Sequence, residues 1–196
     1  MRYPKEYAEK LKQLKELLLL EAQGFIKIYF ADESGFSLTP TVPYGWQPMN
    51  QPIRMVSQRS SRLNVFGLMT ANNELQSYTF KGSATADLII AFIDDFAKTT
   101  TQRTVITVDN ATVHHSDEFH DKIQEWKQQD IDIFYLPRYA PHLNIIETLW
   151  RKIKYEWLRP ENYKSMQALE AAIDNILITF GSDFTINFNN EKVSII

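Results

Sequence analysis

The sequence contains no cysteine, and this absence removes several kinds of chemistry at once. Disulfides, thiolate metal sites and cysteine nucleophiles are all excluded. Long apolar runs are also absent, because the longest, at 17–20, lies in a Lys/Glu-rich segment with no cleavable signal pattern before it. A bilayer-spanning helix needs roughly 20 apolar residues. The sequence therefore predicts a cytoplasmic protein with no membrane partner.

An excess of positive charge is missing as well. Lys and Arg total 21 against 24 Asp and Glu, giving a net charge of −3. Phosphate contacts require Lys and Arg, so this balance argues against tight DNA binding by the chain alone, without excluding nucleic acid as a substrate. The basic residues do form two local clusters: Arg54, Arg59 and Arg62, then Arg151, Lys152, Lys154 and Arg159.

The length of 196 residues suits one domain, and its first half predicts a helix followed by strands. Residues 4–23 favour a helix whose apolar stripe either packs on its own domain or binds a partner; the stripe comprises Tyr7, Leu11, Leu14 and Leu18. A buried strand then ends at Asp32, and a Pro/Gly-rich loop follows. Short β-like runs come next, with Asn72-Asn73 as a hairpin signal between the last two.

The second half alternates between helical and strand patterns. Helices are predicted at 85–98, at 116–129, from the N-cap Asn144 onward, and at 165–180, with strands ending at Asp109 and Pro137. A meander followed by this alternation predicts a mixed α/β sheet flanked by helices. Ligands of open α/β sheets bind beyond the carboxyl ends of the strands, where Asp32 and Asp109 are predicted to lie.

Three acidic residues stand out in this arrangement: Asp32 in IYFADES, Asp109 in VITVDNATVHH and Glu147 in the last motif, YAPHLNIIETLWRKIK. Mg²⁺ prefers oxygen ligands, and two such ions can activate an attacking oxygen and stabilise a leaving one. Carboxylates from separate segments are needed for that chemistry. Taken singly, the aspartates are also explained as polar strand-end residues and Glu147 as a solvated helix residue.

The sequence motifs around these acids resemble those of the catalytic domain of DDE transposases of the mariner superfamily, in its bacterial insertion-sequence branch. FADESGF, VDNATVHHS and LPRYAPHLNIIETLWRKIK carry the resemblance, which spans about residues 25–180. Small departures are Ala140 where Ser is frequent, Ile145 where Pro is frequent, and a slightly longer spacing between Asp109 and Glu147.

The resemblance implies a ribonuclease H-like fold, with a mixed five-stranded sheet over residues 25–180, between an N-terminal helix at 1–24 and a tail at 181–196. It also implies DNA strand cleavage and strand transfer at transposon ends. In that scheme Asp32, Asp109 and Glu147 become catalytic ligands of two Mg²⁺ or Mn²⁺ ions.

Residues near the three acids are candidate DNA contacts: Asn110, His114, Arg151, Lys154, Arg59, Arg62 and Trp46. Each has a structural alternative, such as a turn role for Asn110 and His114. Trp46 is either a loop anchor or a base-stacking wedge. Trp150 is expected to pack its helix onto the sheet.

Relatives usually carry helix-turn-helix modules before the catalytic domain, whereas about 24 residues precede the first predicted strand here. We therefore expect a split or truncated transposase, a homodimer by resemblance, and a separate helix-turn-helix protein encoded upstream. Two alternatives remain open from the sequence. One is a ribonuclease H-like nuclease that acts on other nucleic acids, and the other is an inactive or domesticated remnant that serves as a binding module.

Overall fold

A computed structural model describes residues 4–39, 49–50 and 62–188. Trp46, Arg54, Arg59 and the β-like run at 53–58 therefore lie outside the described residues. The main elements, in chain order, are α1 (Pro4–Ala22), β1 (Lys27–Phe36), β2 (Leu63–Met69), β3 (Leu75–Lys81), α2 (Ala86–Ala97), β4 (Thr104–Val108), α3 (Asp117–Gln128), β5 (Ile131–Tyr135), α4 (Ile146–Lys152) and α5 (Met166–Ile178). A π-helical turn, Ile153–Trp157, continues directly from α4.

The strands form one mixed five-stranded sheet in the order β3-β2-β1-β4-β5. The β1–β2 and β2–β3 pairs are antiparallel, whereas β1–β4 and β4–β5 are parallel. The Asn72-Asn73 pair lies in the β2–β3 hairpin, where Asn73 adopts a φ of 62°. The mixed α/β sheet predicted from the sequence is therefore confirmed.

Apolar side chains alternate along the strands and build a core on each face of the sheet. Phe30 belongs to the core under α1, α4 and α5, while the next residue, Ala31, belongs to the core under α2 and α3. This alternation follows from the two-residue period of a strand. Because burial is worth about 25 cal/mol per Å² of apolar surface, the two cores are the main source of stability.

Strand β1 is longer than predicted. It passes Asp32 and ends at Phe36, because antiparallel pairing with β2 continues from Asp32↔Gly67 to Phe36↔Leu63. Its parallel pairing with β4 stops earlier, at Phe30↔Thr107. Asp32 is therefore a mid-strand residue, but it lies where the parallel half of the sheet ends.

Both chain ends of the described region join the core. The apolar stripe of α1 packs against its own domain, and Leu14 is fully buried. At the other end, Ile186 and Phe188 are buried, and the Asn73 side chain bonds both the N–H and the C=O of Ile186. The predicted tail thus contributes to the fold as far as residue 188.

Candidate active site

The three acidic residues singled out from the sequence line one cleft at the carboxyl ends of the parallel strands. Its volume is about 490 Å³. Asp32 comes from β1, Asp109 follows β4 directly, and Glu147 lies in the first turn of α4. The rest of the lining comes from the two connections β4–α3 and β5–α4 and includes Asn110, Ala111, His115, Leu136, Pro137, Arg138, Tyr139, Ala140, Pro141 and Asn144.

Asp32 faces α4 and is held there by an indole. Trp150 Nε1 donates a 3.0 Å hydrogen bond to Asp32 Oδ2. Gly67, the residue paired with Asp32 on β2, makes room for this approach, because a β-carbon there would lie 3.0 Å from Trp150 Cη2 and from Ile146 Cδ1. Burial raises the pKa of Asp32 to about 8, and the carboxylates of Glu147, Glu33 and Asp109 add to the increase.

Asp109 is fixed by its own loop. Its Oδ1 accepts a 2.9 Å hydrogen bond from the Ala111 N–H and lies 3.5 Å from His114 Nε2. The neighbouring Asn110 donates to the Leu136 carbonyl at 2.6 Å, which ties the end of β4 to the end of β5. The Asp109 side chain is 51% exposed, so it can reach a ligand in the cleft.

Glu147 is positioned by a contact that differs from the prediction. Asn144 does not cap α4 with its side chain; instead its Nδ2 donates to the Ala31 carbonyl at 3.0 Å, and the residue is buried. This bond joins the start of α4 to β1, one residue before Asp32. Desolvation raises the pKa of Glu147, while the nearby Lys154 ammonium opposes that change.

Two cations stand beside the acids. Lys154, in the π-helical turn, lies 5.3 Å from the centre of the Phe36 ring. Desolvation and the Arg62 guanidinium lower the pKa of Lys154, whereas Glu147 and Asp32 raise it. Arg62 rests against Gly35, where an added β-carbon would lie 1.6 Å from Arg62 Nε. Within the described residues, neither Arg62 nor Lys154 forms a salt bridge within 4.0 Å.

Not every sequence-based DNA contact lies on the cleft. His114 is 1% exposed and packs edge-on against Phe119, so it contacts Asp109 from the protein interior and not from the surface of the cleft. Asn110 does line the cleft, but its amide nitrogen is already bonded to the Leu136 carbonyl. Arg151 is exposed on α4, while Arg59 and Trp46 lie outside the described residues.

Two features of the site could not be predicted from the sequence, because both depend on tertiary contacts. One is the hydrogen bond from Trp150 to Asp32; the packing of the Trp150 ring onto the sheet was predicted. The other is Glu33, whose pKa is raised to about 7 by burial and by Asp109. Its Oε1 is buried and has no hydrogen-bond partner among the described residues. In the sequence, the only indication of Glu33 was its position next to Asp32 in FADESGF. Because side chains alternate along a strand, Asp32 and Glu33 point to opposite faces of the sheet.

The side chains in the cleft fit a hard divalent cation, because all three acids offer oxygen ligands and the pKa values of Asp32 and Glu147 are raised by burial and by the neighbouring carboxylates. Trp150 donates to one carboxylate oxygen of Asp32, and the Ala111 N–H donates to one carboxylate oxygen of Asp109. Within residues 4–39, 49–50 and 62–188, however, no three His, Asp or Glu side chains are already arranged to hold a metal ion.

Comparison with known proteins gives consistent matches. A family model described as DDE superfamily endonuclease matches residues 27–170. The insertion element IS630 uncharacterized 39 kDa protein of Shigella sonnei is 24% identical over 157 residues, which cover 78% of this chain and 45% of that protein. The chain thus spans about half the length of this relative.

Solved structures share the fold at low sequence identity. The Mos1 strand transfer complex matches with a TM-score of 0.63 and 14% identity over 90% of this chain and 56% of that one. The catalytic domain of Mos1 mariner transposase matches with a TM-score of 0.56 and 11% identity, over 89% and 82% of the two chains. The predicted ribonuclease H-like fold is therefore confirmed. None of the described helices has the length and apolar character needed to cross a membrane.

Proposed function

The chain belongs to the DDE superfamily endonuclease family, and on that premise we propose that it is a transposase catalytic domain that cleaves and joins DNA strands at transposon ends. One observation carries the proposal: Asp32, Asp109 and Glu147, from three separate segments, line the same cleft at the end of the parallel strands. A carboxylate cluster of this kind is suited to phosphoryl transfer, where catalysis consists mainly of positioning and charge neutralisation.

Asp32, Asp109 and Glu147 would hold two divalent ions, Mg²⁺ or Mn²⁺. Mos1 paired-end complexes that share the fold contain Mn or Mg. Bound in pairs, such ions activate the attacking oxygen and stabilise the leaving one. Burial and the neighbouring carboxylates raise the pKa of Asp32 to about 8, and a bound cation would favour its ionised form.

The remaining residues position the acids and the DNA. Trp150 orients Asp32, and the Ala111 N–H and His114 orient Asp109. Arg62 and Lys154 are proposed to bind a phosphate next to the reacting one, since they bring two positive charges to the edge of the acidic cleft. Arg151 would contact the backbone further along α4.

The partners follow from the same proposal. Mos1 structures with this fold are paired-end complexes with DNA, and we propose that two copies of this chain pair in the same manner. Recognition of the DNA end would then fall to a helix-turn-helix region, supplied by a longer or separate polypeptide. The working location would be the nucleoid.

Strand nicking of supercoiled plasmid in Mn²⁺ tests the proposal. Wild-type protein should convert the plasmid to the open-circular form, and Asp109→Asn should reduce the rate by at least about 100-fold. Asp121→Asn is the matched control, because it removes an exposed aspartate of α3 and should leave the rate unchanged. Equal nicking by Asp109→Asn and wild type would overturn the assignment. Faster cleavage of an RNA strand in a hybrid would instead favour the ribonuclease-type alternative.

A further inference from the structure

Tyr139 is held in a backbone conformation that a tyrosine rarely adopts. Its φ is +58°, and the other described non-glycine residues with positive φ are Asn50, Asn73 and Asp130. Asn and Asp tolerate the left-handed region, whereas a bulky side chain there is an outlier. The Tyr139 ring is 75% exposed, so burial of the ring contributes little in return. Strain of this kind clusters at functional sites.

The loop around Tyr139 is anchored on both sides, which explains how the strain persists. Ala140 and Leu143 are buried, and the Leu143 N–H donates to the Ala140 carbonyl at 3.0 Å. Helix α1 also holds the loop through a 3.0 Å hydrogen bond between the Tyr7 hydroxyl and His142 Nε2. Glu6 lies 3.8 Å from Arg138 Nε. The framework therefore fixes the backbone and leaves the Tyr139 ring facing outward.

The exposed ring belongs to the wall of the cleft that contains Asp32, Asp109 and Glu147. Bases inside a duplex are stacked on each other and are out of reach of such a ring. An unpaired base, by contrast, has two free faces and stacks on exposed aromatic rings with little sequence preference. A fixed, solvent-facing ring beside the three acids is therefore suited to a nucleobase next to the reacting phosphate.

We propose that Tyr139 is a stacking platform for one unpaired nucleobase of the DNA strand in the cleft. This inference rests on the proposed function of the site. It names a binding role for a residue of the YAPHLN motif other than the acids, and it explains why a strained tyrosine occupies the loop. Anchoring of the loop by α1 fixes the backbone that carries the ring before DNA arrives, which limits the entropy lost on binding.

Binding to two duplexes of equal length tests the inference, one blunt and one with a single-stranded overhang that contains 2-aminopurine, both in Ca²⁺. Wild type and Tyr139→Phe should quench the 2-aminopurine fluorescence and bind the overhang duplex with the same affinity. Tyr139→Gly should weaken overhang binding about 5- to 150-fold and abolish the quenching. Its affinity for the blunt duplex should change less than twofold. Phe25→Gly, which removes another exposed ring beyond the amino end of β1, is the matched control and should behave as wild type.

Thermal unfolding separates this role from a structural one. Glycine adopts positive φ without strain, so Tyr139→Gly should keep or raise the melting temperature. A lower melting temperature with equal loss on both duplexes would mean that the ring supports the fold, and unchanged overhang binding would mean that it contacts no base. Loss of self-association in Tyr139→Gly without loss of quenching would assign the ring to a contact between copies. Each of these three results overturns the inference.

The same samples distinguish this inference from the proposed function. Asp109→Asn should lose nicking and retain quenching of the overhang. If Asp109→Asn nicks normally, the proposed function fails; if only the Tyr139→Gly results deviate, the stacking role fails alone.

Discussion

Asp32 shows how a single residue of the cleft depends on its neighbours. Its carboxylate is surrounded by apolar packing, by the indole of Trp150 and by three other acids, and its pKa rises to about 8. Such a residue destabilises the folded chain when ionised, unless a cation is present. Motifs in the sequence identified Asp32, Asp109 and Glu147. They did not identify Glu33 or the Trp150 contact, because those depend on which surfaces the fold brings together.

The raised pKa values of Asp32 and Glu33 predict a pH-dependent stability of the metal-free protein. Both acids bind a proton more tightly when the chain is folded, so their contribution is present below about pH 4 and is lost as the pH rises toward 8. In EDTA the melting temperature should fall between pH 5 and pH 8, by about 2–4 °C for each kcal/mol lost. Asp32→Asn should flatten the decline.

Two comparisons make this measurement specific. Desolvation lowers the pKa of His114, which makes stability rise with pH instead of falling. Wild type and Asp32→Asn both contain His114, so its contribution cancels when their pH dependences are subtracted. Asp121→Asn should retain the wild-type slope, and added Mn²⁺ should raise the melting temperature more at pH 8 than at pH 6. Identical slopes for Asp32→Asn and wild type would contradict the assignment.

Trp150→Phe isolates the hydrogen bond to Asp32. The variant keeps an aromatic ring on Gly67 but removes the donor, so we expect a loss of about 1–3 kcal/mol in unfolding free energy and slower plasmid nicking. Trp157→Phe is the control, since that ring packs on Phe184 and makes no carboxylate contact. A nicking rate equal to that of the Trp157→Phe variant would show that the bond does not position Asp32.

At the scale of helices and strands, the sequence predicted features that depend on neighbouring residues and did not predict features that depend on contacts between distant segments. Thr85 and Ser116 cap α2 and α3 as expected, because the backbone N–H groups that donate to their hydroxyl oxygens lie only three residues further along the same helix. Asn144 does not cap α4, since its amide bonds the Ala31 carbonyl on a distant strand. The length of β1 was underestimated for the same reason: its last residues are held by β2, and no local pattern indicates that pairing.

Gly67→Ala tests whether the close packing of α4 against the sheet depends on the absence of a side chain at position 67. The added methyl group would lie about 3.0 Å from Ile146 Cδ1 and from the Trp150 ring, so α4 must shift and carry Glu147 with it. Overpacking of this kind costs about 1–3 kcal/mol, and nicking should slow by more than the loss of folded protein explains. Circular dichroism melts and nicking rates measure the two effects.

Ile146→Val provides the matching rescue, because it removes the methyl group that meets the new side chain. The double variant should recover part of the stability and part of the nicking rate, with the Trp150 contact accounting for the remainder. If Gly67→Ala behaves as wild type, the position of α4 does not depend on this close approach.

At the scale of the whole molecule, the acidic net charge does not describe the charge around the cleft. Asp32, Asp109 and Glu147 line the cleft, and Lys154 interacts electrostatically with Glu147, with Asp32 and with the Arg62 guanidinium. The chain spans 45% of its insertion-element relative and 56% of the Mos1 chain. The order of strands and helices was predictable from periodicity. The docking of α1 against the cleft loop was not, because it depends on the Tyr7–His142 and Glu6–Arg138 contacts.

The central claim is that Asp32, Asp109 and Glu147 act as one metal-dependent unit. The most direct test is the Mn²⁺-dependent plasmid nicking rate of Asp32→Asn, Asp109→Asn, Glu147→Gln and the triple variant. Residues that act as a unit give strongly non-additive losses. Each single variant should therefore lose nearly as much activity as the triple variant. Losses that multiply from one variant to the next, or a single variant with the wild-type rate, would contradict the claim.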